Sequence, residues 1–255
     1  MYYIQKAIAT LAIATAIGGM APVQAMPGMS QHHNSSITTP NRTPIPQMTP
    51  RERSAQRFFN QGLDKLQKQD YQGAVKDFTQ AIQINPKFDT AYVNRADLRL
   101  KLGDNKGAAE DYTQAMRTNP NFTYLYNSRG KAREALGDSK GAITDYTQAT
   151  KLYPEEGIAF RNRGILLYKL GQNQAAMEDL NQAIERNHHD VDAYTTRSNL
   201  RAKLGDKQGA IKDRKLVTSI LAERAKNAEA FRKMSLIRKI LPPDNTNRIV
   251  GESTP

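Results

Sequence analysis

The chain has 255 residues, a formal net charge of +12 and no cysteine. The absence of thiols excludes disulfides, thiolate metal sites and a cysteine nucleophile. The basic balance points to acidic proteins, anionic membrane surfaces or nucleic acid as partners.

From the N-terminus, Tyr2 to Ala25 holds one charge, Lys6, then an apolar run from Ala7 to Ala21 broken by Gly18-Gly19. Val23-Gln24-Ala25 fits a signal peptidase site, so residues 1–25 read as a secretory signal peptide. The run is shorter than the ~20 residues of a spanning helix; retention as an N-terminal anchor is the other reading. Export places the chain in the periplasm or a thylakoid lumen, with the cell exterior as the other location, and disfavours nucleic acid as a partner. Residues 26–54 hold Pro27, Pro40, Pro44, Pro46 and Pro50 among Ser, Thr, Asn and Gln, and read as a flexible linker. Met26, Met29, His32 and His33 cluster there and His188-His189 sit at a later turn; both are read as loops, with no metal and no cofactor assigned.

A repeat of 34 residues follows in five blocks, 55–88, 89–122, 123–156, 157–190 and 191–224. Its register shows in Leu102-Gly103-Asp104, Leu136-Gly137-Asp138, Leu170-Gly171-Gln172 and Leu204-Gly205-Asp206. Apolar and small residues fall at steps of three and four on two stripes per block, which predicts two helices. The glycine ends the first helix and the next residue caps the second. Pro86, Pro120 and Pro154 stop the second helix of their blocks. After the array, Leu221 to Leu241 is a basic helical pattern stopped by Pro242-Pro243. It reads as a capping helix over 225–241, joined by Arg214 as the polar outer end, before a tail at 242–255.

These blocks resemble the tetratricopeptide repeat family. The resemblance is carried by the aromatics Phe58, Tyr92, Tyr126, Phe160 and Tyr194 and by the small residues Gly62, Ala96, Gly130, Gly164 and Ser198. Ala74, Ala108, Ala142, Ala176 and Ala210 complete it. The Asn-x-Arg-Gly and Leu-Gly-Asp-x-x-Gly-Ala variants are similar to cyanobacterial arrays. The resemblance implies an all-α, right-handed superhelical solenoid of five helix–turn–helix repeats, with no intrinsic enzymatic activity. It also implies a concave groove, lined by the first helices, for a peptide or partner helix.

On that resemblance the groove is supplied by Phe59, Leu63, Val93, Asp97, Leu100, Lys101, Tyr124, Asn127, Lys131 and Glu134. Arg161, Ile165, Tyr168, Lys169, Asn199 and Lys203 continue it. Apolar anchors between cations suit a partner segment carrying hydrophobic and acidic residues. No block has the Lys-plus-Asn pair of the carboxylate-clamp members, which disfavours that function. The alternative reading is a membrane-surface structural protein using the basic C-terminal helix.

Arginine recurs as Arg95, Arg129, Arg163 and Arg197, where the family usually has leucine, and aspartate recurs as Asp77, Asp111, Asp145, Asp179 and Asp213. The pattern predicts a structural ladder of ion pairs. Pairing each aspartate with the next block's arginine leaves Gln61 without need of a partner; pairing within a block is the alternative.

Overall fold

The computed structural model describes residues 48–240, with side chains through Lys233. The expected signal peptide, the linker up to residue 47 and the tail lie outside the described residues. Those described form ten α-helices and no strand. They are α1 Pro50–Gln67, α2 Tyr71–Ile84, α3 Asp89–Leu102, α4 Asn105–Ala115, α5 Thr123–Ala135, α6 Ser139–Leu152, α7 Gly157–Lys169, α8 Asn173–Arg186, α9 Val191–Lys203 and α10 Lys207–Ile240. Each block supplies one packed pair, from α1/α2 to α9/α10, and each second helix packs on the next first helix.

The helix turns follow from local chemistry. Gly103, Gly137, Gly171 and Gly205 end four first helices with φ of 85°, 79°, 76° and 88°. Gln69 holds the same place in the first block at φ 62°, a conformation that costs a residue with a Cβ about 1 kcal/mol. Asp70, Asp104, Asp138 and Asp206 then cap the second helices, accepting from the N–H of Gly73, Gly107, Gly141 and Gly209 at 2.9, 2.9, 2.9 and 2.8 Å. A Cβ on any of those glycines would lie within 2.0–2.2 Å of the capping carboxylate. In the fourth block Gln172 makes no cap bond and Ala175 stands in the glycine's place.

Close approach of the two helices is set by small residues opposite rings. A Cβ on Gly62 would meet the Phe78 ring at 2.6 Å, and one on Gly130 the Tyr146 ring at 2.6 Å. The rings and the alanines behind them, Ala74, Ala108, Ala142 and Ala176, are fully buried and make the core continuous from pair to pair. Successive first helices also touch directly, α3 on α5, α5 on α7 and α7 on α9, with no comparable packing between successive second helices. The first-helix side is therefore the inner one.

Two expected boundaries move. The linker ends sooner, because Thr49 and Glu52 form a reciprocal cap: Glu52 N–H donates to Thr49 Oγ1 at 3.2 Å and Thr49 N–H to Glu52 Oε2 at 2.7 Å. Pro50 then fits the first helical position, where its missing N–H has no partner to lose. The expected separate cap helix is instead the continuation of α10, an unbroken helix of 34 residues. The fifth block has Ala222 where three others have proline, and no Gly or Pro occurs between Ala210 and Leu241. Among its described side chains Ile220 is the last buried one; from Leu221 to Lys233 every residue is exposed, Phe231 at 71%.

Candidate functional site

The arginine–aspartate ladder forms inside the blocks, not between them. Arg95 Nε and Nη2 donate to the two oxygens of Asp111 at 2.8 and 2.7 Å. The same fork joins Arg129 to Asp145 at 2.9 and 2.7 Å, Arg163 to Asp179 at 2.7 and 2.7 Å, and Arg197 to Asp213 at 3.0 and 2.8 Å. The remaining Nη1 crosses back to the preceding block, to Thr79 at 3.0 Å, Thr113 at 3.1 Å, Thr147 at 2.9 Å and Asn181 at 2.7 Å. Counting by adjacent blocks fails because Asp77 is met by Lys65 Nζ at 2.8 Å within its own block. Each arginine thus ties three helices.

On the inner face most of the expected groove residues divide into three sets, with Asp97, Glu134 and Arg161 half-buried beside them. Phe59 and Asn127 are buried and do not line an open groove. Phe59 lies between Phe78 and Phe88, at centroid distances of 5.5 and 4.9 Å, because the turn after α2 folds Phe88 over it. Leu63, Val93, Leu100, Tyr124, Ile165 and Tyr168 are half-buried, packed on the core with one side open. Lys101, Lys131, Lys169, Asn199 and Lys203 are exposed.

The charges on this face are held unequally. Lys169 Nζ donates to Glu134 Oε1 at 2.7 Å, and Glu134 Oε2 accepts from the Tyr146 hydroxyl at 3.1 Å. Arg161 Nη1 donates to Asp190 Oδ2 at 3.2 Å. Lys101 Nζ lies 3.7 Å over the Tyr71 ring and Lys203 Nζ 5.8 Å over Tyr168. Lys131 is exposed, yet the surrounding walls, and secondarily the Arg161 charge, hold its ammonium below the ordinary lysine value. Asp97 Oδ1 accepts both the Tyr112 and the Tyr124 hydroxyls, at 2.6 and 2.7 Å. Desolvation outweighs those two bonds and pushes the Asp97 carboxyl up. Burial and the Asp97 charge push both phenols up in turn. A shallow, open depression lies elsewhere, at the turn Thr118–Phe122.

Tetratricopeptide repeat profiles match residues 127–190 and 89–122, and a TPR repeat profile matches residues 62–103. The chain belongs to the tetratricopeptide repeat family. Solved structures share its TPR fold. MamA from Desulfovibrio magneticus RS-1 superposes with a TM-score of 0.63 at 13% identity, over 69% of this chain and 98% of that one. PilF of Pseudomonas aeruginosa does so with 0.59 at 19% identity, over 78% and 96%. YrrB, described as a TPR protein with an unusual peptide-binding site, gives 0.56 at 17% identity, over 72% and 94%. At these identities the likeness establishes the fold. No curated protein matches the chain.

Two features of this TPR array escape a reading by repeat position. Arg99, Arg133 and Arg201 each add a second guanidinium to the ladder aspartates, at 2.9 Å from Asp111, Asp145 and Asp213. Their recurrence twelve residues before the aspartate was the available signal. The knot of Asp97 with two tyrosines had none, because it occurs once and joins different repeats.

Proposed function

We propose that this TPR chain is an exported, non-catalytic scaffold. It holds a partner segment with apolar and acidic side chains along the inner face of its first helices. The observation that carries the reading is the row Lys101, Lys131 and Lys203, exposed among half-buried apolar residues and facing no carboxylate within ion-pair distance among the described residues. Apolar shoulders supply affinity while ammonium groups without a carboxylate partner select acids and speed encounter. The peptide-binding site described for YrrB, on the same fold, supports this choice of ligand class. Export rests on the leader sequence of residues 1–25.

The test is photo-crosslinking of the full chain in envelope extract, with a photoreactive residue at Leu100 or Ile165. The bait is compared with a Lys101→Glu, Lys131→Glu, Lys203→Glu variant of unchanged circular dichroism. A discrete adduct at both positions, lost in the variant, is the expected result. An adduct that survives the three reversals would remove the inner face from the reading.

A second reading rests on the exposed stretch of α10. Leu221 and Phe231 stand free at 48% and 71% exposure beside Arg224, Lys226, Arg232 and Lys233, a composition suited to an anionic membrane surface. Flotation with anionic vesicles is the expected result there, and its absence at low salt would end that reading.

A further inference from the structure

The inner face also bears an acceptor site that the chain itself leaves unfilled. The fully buried aspartates each meet a cation: Asp77, Asp111, Asp145, Asp179, Asp190 and Asp213 all lie within ion-pair distance of Lys or Arg. Glu134, on the inner face, meets Lys169. Asp97 meets none. Its Oδ1 is taken by two phenols, and no donor among the described residues reaches its Oδ2. Lys101, one helical turn along α3, is engaged on the Tyr71 ring instead.

A second acceptor stands at the same junction. Asn127 is 6% exposed and its Oδ1 has no hydrogen-bond donor. Its neighbourhood follows from its own helix: Tyr124, three residues earlier and on the same face of α5, donates its hydroxyl to Asp97. Asn127 and Asp97 thus stand on neighbouring first helices of the third and second repeats, Asn127 buried and Asp97 half-buried. The buried, undonated Asn127 Oδ1 costs the free protein, and the half-buried Asp97 carboxylate lacks a cation. A group with several donors and no acceptor suits the Asp97 carboxylate; ammonium, guanidinium and protonated imidazole have that character, and the first two keep it at neutral pH.

We propose that the junction of the second and third repeats receives one cationic side chain, a lysine or arginine, of the bound segment. This rests on the inner face being the binding face and adds a direction to it. The next junction presents Lys131 and Arg161, so a basic residue at the first is followed by an acidic one at the second. Neighbouring helices lie about 8–10 Å apart, so in an extended segment the two residues stand about three positions apart. The array thereby reads a segment in one orientation only.

A displayed library of random dodecapeptides, selected on the full chain and on Asp97→Asn, tests this. The asparagine keeps an acceptor for both phenols and removes the charge. Peptides enriched on the wild type are expected to share one Arg or Lys about three positions from an acid, a preference absent from the variant's selection. In one enriched peptide, arginine-to-citrulline replacement is expected to weaken binding to the wild type by about tenfold or more and to leave binding to Asp97→Asn nearly unchanged. Any general effect of the variant on folding cancels in that cycle. Acid-only peptides would overturn the cation site and leave the groove reading standing. Equal loss from citrulline on both proteins would place the cation elsewhere. No enriched peptide at all would sink both.

Discussion

Asp97 carries its charge at the expense of the fold. Its carboxyl is pushed above the ordinary 3.8 by desolvation, so between that value and the folded one the native state holds a proton the unfolded chain has released. Stability is therefore lost as pH rises through this interval and stays lost at neutrality. The melting midpoint of Asp97→Asn relative to wild type is expected to rise from about pH 3 to neutral, all other titrations being common to both. A difference independent of pH would show that the charge costs nothing. The ladder arginines behave differently because their reserves differ. Asp145 keeps Arg133 at 2.9 Å if Arg129 is removed, whereas Asp179 is held by Arg163 alone. Arg163→Leu is expected to cost about 3–5 kcal/mol in urea unfolding, the range for a broken buried pair, and Arg129→Leu clearly less. Equal losses would contradict the two-arginine geometry. Charges at fixed repeat places were readable from the sequence. Partner choice was not: the guanidinium lies between two second helices and bonds to both, carboxylate on one side and a threonine hydroxyl or, for Arg197, the Asn181 amide oxygen on the other.

At the scale of the element, the turns were legible because each depends on one or two residues with a single conformational role. Gln69 is the exception that tests the rule. Gln69→Gly is expected to stabilise the chain by about 0.5–1 kcal/mol, read as a higher urea midpoint at unchanged slope; a lower midpoint would show that the Gln69 side chain does more than fill the position. The fourth block tests the link between cap and glycine. Gln172→Asp alone brings a carboxylate against the Ala175 Cβ, while Gln172→Asp with Ala175→Gly recreates the arrangement of the other blocks. The double change is expected to gain about 1 kcal/mol, more than the two single changes summed; strict additivity would break the coupling. The start of α1 and the length of α10 were misread for opposite reasons. Pro50 looked like linker but occupies a position that tolerates it, and the expected break after the fifth block had no residue to make it.

Across the whole molecule, stability is a sum of pair packing and contacts to the next pair, so nothing beyond the last contact shares the protection of the array. Amides of α10 after Arg224, whose guanidinium still donates to the His189 carbonyl, are accordingly expected to exchange far faster than those from Lys207 to Ile220, in hydrogen-exchange mass spectrometry. Comparable protection along the helix would require a partner on its exposed side.

The third bond of each ladder arginine, back to Thr79, Thr113, Thr147 or Asn181, bears on how such a chain can lengthen. An internal block brings its own guanidinium for the neighbour before it and its own side-chain oxygen for the one after. Copied in tandem, it joins at both ends without further change. The first block cannot be copied inward in this way. Its Gln61 stands where the others have arginine, which is harmless only where no repeat precedes it. Growth of the array by gene duplication is therefore open to the interior and closed to the N-terminal block, and Gln61 marks the end from which counting starts.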